Sequence, residues 1–382
     1  MQRSFWLLLA ALCVGAVTPA AAVEVRFYPV DRVYSYDLAS DRDAHSVMVQ
    51  NVALLNDGTA PTTISTVTIQ LLQGERVIEE RHLGPPELDQ AAGNGKALSG
   101  DLWKMLSFQF GGDRLVPAEM HHGSSRTLNP GEALIFGSQM FAYRGQRDSV
   151  RVIVNDNIAH GAIPIRNTMS QTRFQFPLRG IWYAGSGPGF NSAHRWSPME
   201  EFAFDLLQVD TKGVTHRGIG SQFSDYYAYG KPVLAAADGV IVSTVTNQLE
   251  DPRSMQQPDE TVEVYYARLQ EDQMARVARG ISGIGGNSVV IDHGNGEFSF
   301  YAHLKPGSVR VRAGQHVTGG QQIGALGSSG NSTEPHLHFQ VCDSADPLRC
   351  AGIPIQFEPG HDSLRNPPHA AQVGDFMSRP GH

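Results

Sequence analysis

The sequence predicts a mainly β protein: an N-terminal immunoglobulin-like β-sandwich, then a C-terminal antiparallel β-sheet domain with a helical insertion. Three observations carry this prediction. Alternating apolar and polar residues recur along the chain, as in Val23-Glu24-Val25-Arg26-Phe27 and Thr66-Val67-Thr68-Ile69-Gln70-Leu71, and alternation marks strands with one buried face. The 40 Gly and 22 Pro supply the many turns that short strands need. A length of 382 residues, at about 100 to 200 per domain, gives two domains.

Composition narrows the function classes. A hydrophobic content of 41% suffices for ordinary packed cores. The formal charge is -8 and no run of Lys or Arg tracks a phosphate backbone, which argues against nucleic acid as a partner.

Residues 1–22 hold one early cation, Arg3, an apolar run from Phe5 to Val17, and then Thr18-Pro19-Ala20-Ala21-Ala22. This is the pattern of a secretory signal peptide cleaved after Ala22. The apolar run is shorter than the roughly 17 to 25 residues needed to span a bilayer. No later stretch is apolar enough to span, so the mature chain is expected to be secreted or periplasmic, with no stable membrane span. Export also decides how the cysteines read. With Cys13 in the leader, Cys342 and Cys350 remain, and an oxidising compartment favours a disulfide over a metal or thiol site.

Residues 23–166 read as the sandwich, with turn signals at Asn56-Asp57-Gly58, Gln73-Gly74-Glu75 and Asn129-Pro130-Gly131. His121 and His122 fall in a Gly and Ser loop without a carboxylate at useful spacing and read as solvated. The polar segment Asn167 to Arg173 marks a boundary, and residues 174–357 form the second domain.

There, the loop Gly185-Ser186-Gly187-Pro188-Gly189 leads to His194, and ten residues intervene before Asp205. Strand parity places Ala203 and Asp205 on one face, with Phe202, Phe204 and Leu206 on the other. A charge in so apolar a setting is either paired or metal-bound, or it caps backbone amides at a strand edge. His216 has Gly220, not a ligand, four residues on and is rejected as a site. Two strands surround the Asp238-Gly239 turn. Residues 247–286 interrupt the strands with a polar segment in which Val264, Ala267, Leu269, Met274 and Val277 keep rough helical spacing.

Strands resume over Asn287 to Asp292 and Phe298 to Leu304, and parity puts His303 with Ser299 and Tyr301, opposite Phe298 and Phe300. Closely spaced glycines then lead to Pro335-His336-Leu337-His338-Phe339-Gln340-Val341. Alternation sends Leu337, Phe339 and Val341 to one face and His336, His338 and Gln340 to the other, with the two histidine Cα atoms roughly 6 to 7 Å apart. Such a pair is either exposed or part of a metal site, histidine being the commonest metal ligand. Residues 358–382 lack periodicity and read as a disordered tail.

Together, His194 with Asp205, Gly230-Lys231-Pro232-Val233 running to Ala237-Asp238-Gly239, Tyr301-Ala302-His303-Leu304, and Pro335-His336-Leu337-His338-Phe339 occur in the order seen in the lysostaphin-type zinc endopeptidases. The chain resembles that family from about Phe174 to Phe357. Two departures stand out: ten residues separate His194 from Asp205 where the commonest family pattern has three, and the insertion is long. The resemblance implies that His194, Asp205 and His338 ligate one Zn2+ per chain. It implies catalytic roles for His336 and His303 beside the attacking water and the substrate carbonyl, with His336 taking the proton and His303 stabilising the oxyanion, or the reverse. It also implies hydrolysis of peptide bonds in the stem or cross-link peptides of peptidoglycan. Two rival readings are a non-catalytic cell-wall-binding or regulatory protein on the same fold and a zinc peptidase for other exported peptides. The sandwich reads equally as a targeting, inhibitory or partner-binding domain.

Overall fold

A computed structural model describes residues 23–38, 41–257, 259–361, 364 and 370–379, so the expected signal peptide lies outside the described residues. In the N-terminal part nine of the described strands form one sheet, eight along a single hydrogen-bonded path and one, Val23–Tyr28, off it. One ladder joins Arg76–Leu83, Val67–Gln73, Ser149–Val154 and Ala159–Arg166, and the other joins Val33–Leu38, Asp41–Asn56 and Glu132–Arg144, with Val23–Tyr28 also on Asp41–Asn56. A short parallel pairing of Ile165 and Arg166 with Val33 and Tyr34 connects them. Both ladders feed one core, in which Val47, Val49 and Leu54 meet Val67, Ile69, Leu71, Val150 and Val152.

Not all of this part is strand. Pro85–Ala97 and Asp101–Leu106 are helices where only short strands were expected. The local signal was a proline at the first helical position and an acid two residues on, since the Glu87 carboxylate accepts from the Gly84 backbone N–H at 3.0 Å. Leu88, Ala91 and Ala92 turn inward onto the core. The glycines Gly93 and Gly95 masked the pattern by lowering helix propensity.

The C-terminal part is built on an eight-stranded antiparallel sheet. Its order is His316–Val317, Gly239–Val245, Asn287–Asp292, Phe298–Leu304, Leu337–Cys342, Phe204–Leu207, Ile181–Ser186 and Phe376–Ser378. The last strand corrects the expectation of a disordered tail: residues 376–378 pair with Ile181, Trp182 and Tyr183, and Met377 is fully buried. The insertion contains the helices Val262–Val277 and Ile281–Ile284. Only the end of the longer helix packs: Val277 is buried with Phe108 and Met199 and against Leu348, while Val264 and Met274 stay exposed. Among the described residues no helix is long and apolar enough to cross a membrane.

Candidate metal centre

Three neighbouring strands deliver most of the predicted site. Asp205 and His338 are direct cross-strand partners, and Ala302 pairs with His338 from the other side. A carboxylate and an imidazole on the same face of adjacent strands are held close by the ladder itself. His194 arrives separately, on the single 3-10 turn Ala193–Trp196. All five predicted residues come together. The carboxylate of Asp205 lies 3.2 Å from His194 Nε2, 3.0 Å from His338 Nδ1 and 3.4 Å from His336 Nε2. The ring of His303 is 4.6 Å from that of His336 and 6.0 Å from that of His338, centre to centre. At 8% and 6% exposure, His336 and His338 are not a solvated surface pair.

The outer nitrogens fix the tautomers. His338 Nε2 donates to Gln340 Oε1 at 2.8 Å, and His194 Nδ1 donates to the Ala203 carbonyl at 3.3 Å. Each ring therefore turns a lone pair toward Asp205, and two lone pairs facing an anion repel unless a proton or cation sits among them. His336 Nδ1 donates to the Glu334 carbonyl at 2.8 Å, and His303 Nδ1 to the Ser329 carbonyl at 2.8 Å. Their Nε2 atoms are thereby left for other partners.

His303 corrects the parity argument. Its φ is 63°, in the left-handed region that side-chain-bearing residues rarely adopt. The alternation breaks there. Tyr301 stays in the main core, while His303 joins Phe300 and Ala302 along the cleft, the side opposite to that expected. The bend is held by the His303 backbone N–H donating to the Gly285 carbonyl at 2.8 Å and by the bond to Ser329. Gly286, at φ 62°, lets the chains approach: a Cβ there would collide with the Ser329 carbonyl.

The electrostatics report the same demand for positive charge. Burial pulls His194 down, but the Asp205 charge outweighs it and pushes the imidazole up to about 9. Burial would raise Asp205, yet the charges of His194 and His336 bring it well below the usual carboxylate range. His336 is pulled down by burial and raised on balance by Asp205. His303 is driven well below the ordinary imidazole value by burial, then by its neighbours His336 and His338.

His194, Asp205 and His338 each present a donor atom, and these atoms all lie within 4.8 Å of one another. Tetrahedral zinc with bonds of about 2.0 to 2.2 Å needs neighbouring donors about 3.3 to 3.6 Å apart, and His194 Nε2 lies 3.2 Å from Asp205 Oδ2 while His338 Nδ1 lies 3.0 Å from its other oxygen, Oδ1. Two neutral imidazoles and one carboxylate with fixed outer hydrogen bonds fit a zinc site that leaves a fourth position open. A cavity of about 190 Å³ adjoins it, lined in part by His303, Glu200, Asn331, Pro347 and Leu348. Pro347 and Leu348 sit in the loop closed by the Cys342–Cys350 disulfide. Gln340 ties that loop to the centre, bonding His338 on one side and the Pro347 carbonyl at 3.3 Å on the other. Its role was missed in the sequence, although it shares the histidine face of the strand. His216 packs on Tyr226, away from the cluster. His122 is not solvated as expected: it packs 4.2 Å from Trp103 with both ring nitrogens buried.

Residues 274–350 match the sequence family described as Peptidase family M23. This span includes His303, His336 and His338, whereas His194 and Asp205 precede it. The peptidoglycan DD-endopeptidase ShyA of Vibrio cholerae is 42% identical over 72 residues, 18% of this chain and 16% of ShyA. The peptidoglycan DD-endopeptidase ShyC of the same organism is 31% identical over 169 residues, 42% of this chain and 29% of ShyC. The match therefore spans less than a third of either relative. The solved catalytic domain of lysostaphin from Staphylococcus simulans is 20% identical, covering 46% of this chain and 88% of that domain, with a TM-score of 0.25. On that match, residues 274–350 of this chain belong to a domain of Peptidase family M23.

Proposed function

We propose that the chain is an exported zinc endopeptidase that hydrolyses peptide bonds in the stem or cross-link peptides of peptidoglycan. The observation that carries the reading is the convergence of donor atoms from His194, Asp205 and His338 beside a cleft lined by His303, with the His336 ring 4.6 Å from that of His303. The names of ShyA and ShyC support the D,D cross-link as the bond cut.

His194, Asp205 and His338 would hold the zinc. When bound, zinc supplies the Lewis acidity that polarises the scissile carbonyl and brings the pKa of water to about 7. His336, with Nδ1 occupied by the Glu334 carbonyl, offers Nε2 to accept the proton of the attacking water and return it to the leaving amine. His303, buried and anchored through Ser329, lies beside His336 as the second catalytic imidazole; burial and its histidine neighbours hold it well below the ordinary imidazole value, so its Nε2 donates to the oxyanion only once substrate or the developing charge draws a proton onto it. The opposite assignment of these two roles predicts the opposite pair of pH-rate changes in the single variants.

The test uses purified full-length chain on isolated sacculi. His338→Ala loses both zinc and peptide release, whereas His336→Ala keeps zinc and loses release. Cleavage that survives chelation in a metal-free chain refutes the reading. Tight sacculus binding without released peptides at full zinc occupancy favours a non-catalytic wall protein, and preference for casein favours a peptidase of other exported substrates.

A further inference from the structure

Within the ten residues between His194 and Asp205, Arg195, Glu201 and Phe202 bind the N-terminal domain. Arg195, only 1% exposed, donates to Glu201 Oε1 at 2.6 Å and to Ser46 Oγ at 3.1 Å. The Gln50 amide donates to the Arg195 carbonyl at 2.8 Å and to Glu201 Oε2 at 3.1 Å. The guanidinium also lies 5.2 Å from the ring centre of Phe202, which in turn packs on Tyr34 and Tyr36 at 5.9 and 5.4 Å. Ser46 and Gln50 project from one face of the strand Asp41–Asn56, opposite the core residues Val47 and Val49. The residues that make this interval longer than the commonest family spacing thus form a docking element for the other domain.

Burying a guanidinium and a carboxylate is costly unless their partners are in place. Ser46 and Gln50 are among those partners, so the segment has one favoured position when the sandwich is seated. This matters for His194 above the other two ligands. Asp205 and His338 are locked by ladder hydrogen bonds. His194 stands on a single turn, and beyond Asp205 the only hydrogen bond its ring makes among the described residues is the long one to the Ala203 carbonyl.

We propose that the N-terminal domain is a positioning part of the metal centre: by clamping Arg195–Phe202 through Ser46 and Gln50, it sets where His194 stands relative to Asp205 and so sets metal affinity. This rests on the assignment of His194 and Asp205 as zinc ligands. It also opposes a simple blocking role for the domain, because loosening a plug raises access without weakening the metal.

The experiment measures zinc affinity of the full-length chain by competition with a chromogenic chelator, a readout that needs no peptide cleavage. Ser46→Ala with Gln50→Ala is expected to bind zinc about tenfold more weakly, since hydrogen bonds to a charged pair are lost. Tyr36→Phe removes a different interdomain bond, Tyr36 Oη to the Ala371 carbonyl, and is expected to bind zinc within about twofold of the parent, as it leaves the clamp intact. Should the double variant fail to fold, Ser46→Ala alone decides, at an expected loss of about threefold or more. Unchanged affinity in the clamp variants overturns the inference, as does an equal loss in Tyr36→Phe, which would mean general domain docking. A parent chain that binds no zinc overturns the ligand assignment first, and this inference with it.

Discussion

Replacing Asp205 by Asn removes one negative charge with almost no change of shape, and the geometry sets the size of the effect. The carboxylate lies 3.2, 3.0 and 3.4 Å from three imidazole nitrogens. In the metal-free chain it moves His194 from an ordinary 6.5 to about 9 against the pull of burial. At 1.36 kcal/mol per pKa unit, that interaction is worth roughly 3 kcal/mol. The same charge acts on a cation placed among the donors, so Asp205→Asn should weaken zinc binding by about a hundredfold or more. Two measurements check it. Histidine resonances of the metal-free variant should show His194 titrating well below its parent value of about 9, since only Glu200 and the Ala203 carbonyl then oppose burial, and chelator competition should show the loss of zinc. Zinc affinity within about threefold of the parent, or a His194 resonance still titrating near 9, would refute the proposal that this carboxylate organises the centre.

Gly286→Ala should destabilise the chain by about 2 to 4 kcal/mol, because φ is 62° and the new methyl meets the Ser329 carbonyl. Peptide release should fall further than stability does, since that carbonyl holds His303, and paired denaturation and cleavage assays separate the two effects. Burial pulls His293 below the ordinary imidazole value despite its bond to the Asp238 carbonyl. Its contribution to stability is therefore present above about pH 6.5 and lost as pH falls. His293→Gln should flatten the decline in unfolding free energy between pH 7 and 5, by at most about 1.4 kcal/mol per pH unit, and an unchanged slope would contradict it. Cys342→Ser with Cys350→Ser opens a loop whose ends are 8 residues apart and should cost roughly 2.5 kcal/mol by denaturant titration.

The sequence made much of this legible, and for definite reasons. Alternation exposed the shared face of His336 and His338 and placed Asp205 opposite Phe204 and Leu206, because strand parity is a local property. That Asp205 stands directly across from His338 depends on strand order, which local pattern does not encode. His303 was assigned to the wrong face because its φ of 63° breaks the alternation, and a backbone reversal at a histidine leaves no compositional trace. The helix Pro85–Ala97 was missed because its interior glycines obscured a valid start signal. The roles of Arg195 and Glu201 leave no local signal, because their partners Ser46 and Gln50 stand about 150 residues earlier in the chain.

The cross-strand pairing of Asp205 with His338 bears on how a proposed zinc ion would be acquired. Two of the three donors belong to the hydrogen-bonded lattice of the sheet, so they are already in place before any cation arrives. Binding of a cation there would demand little reorganisation of that lattice, so the scaffold would form before the ion rather than around it.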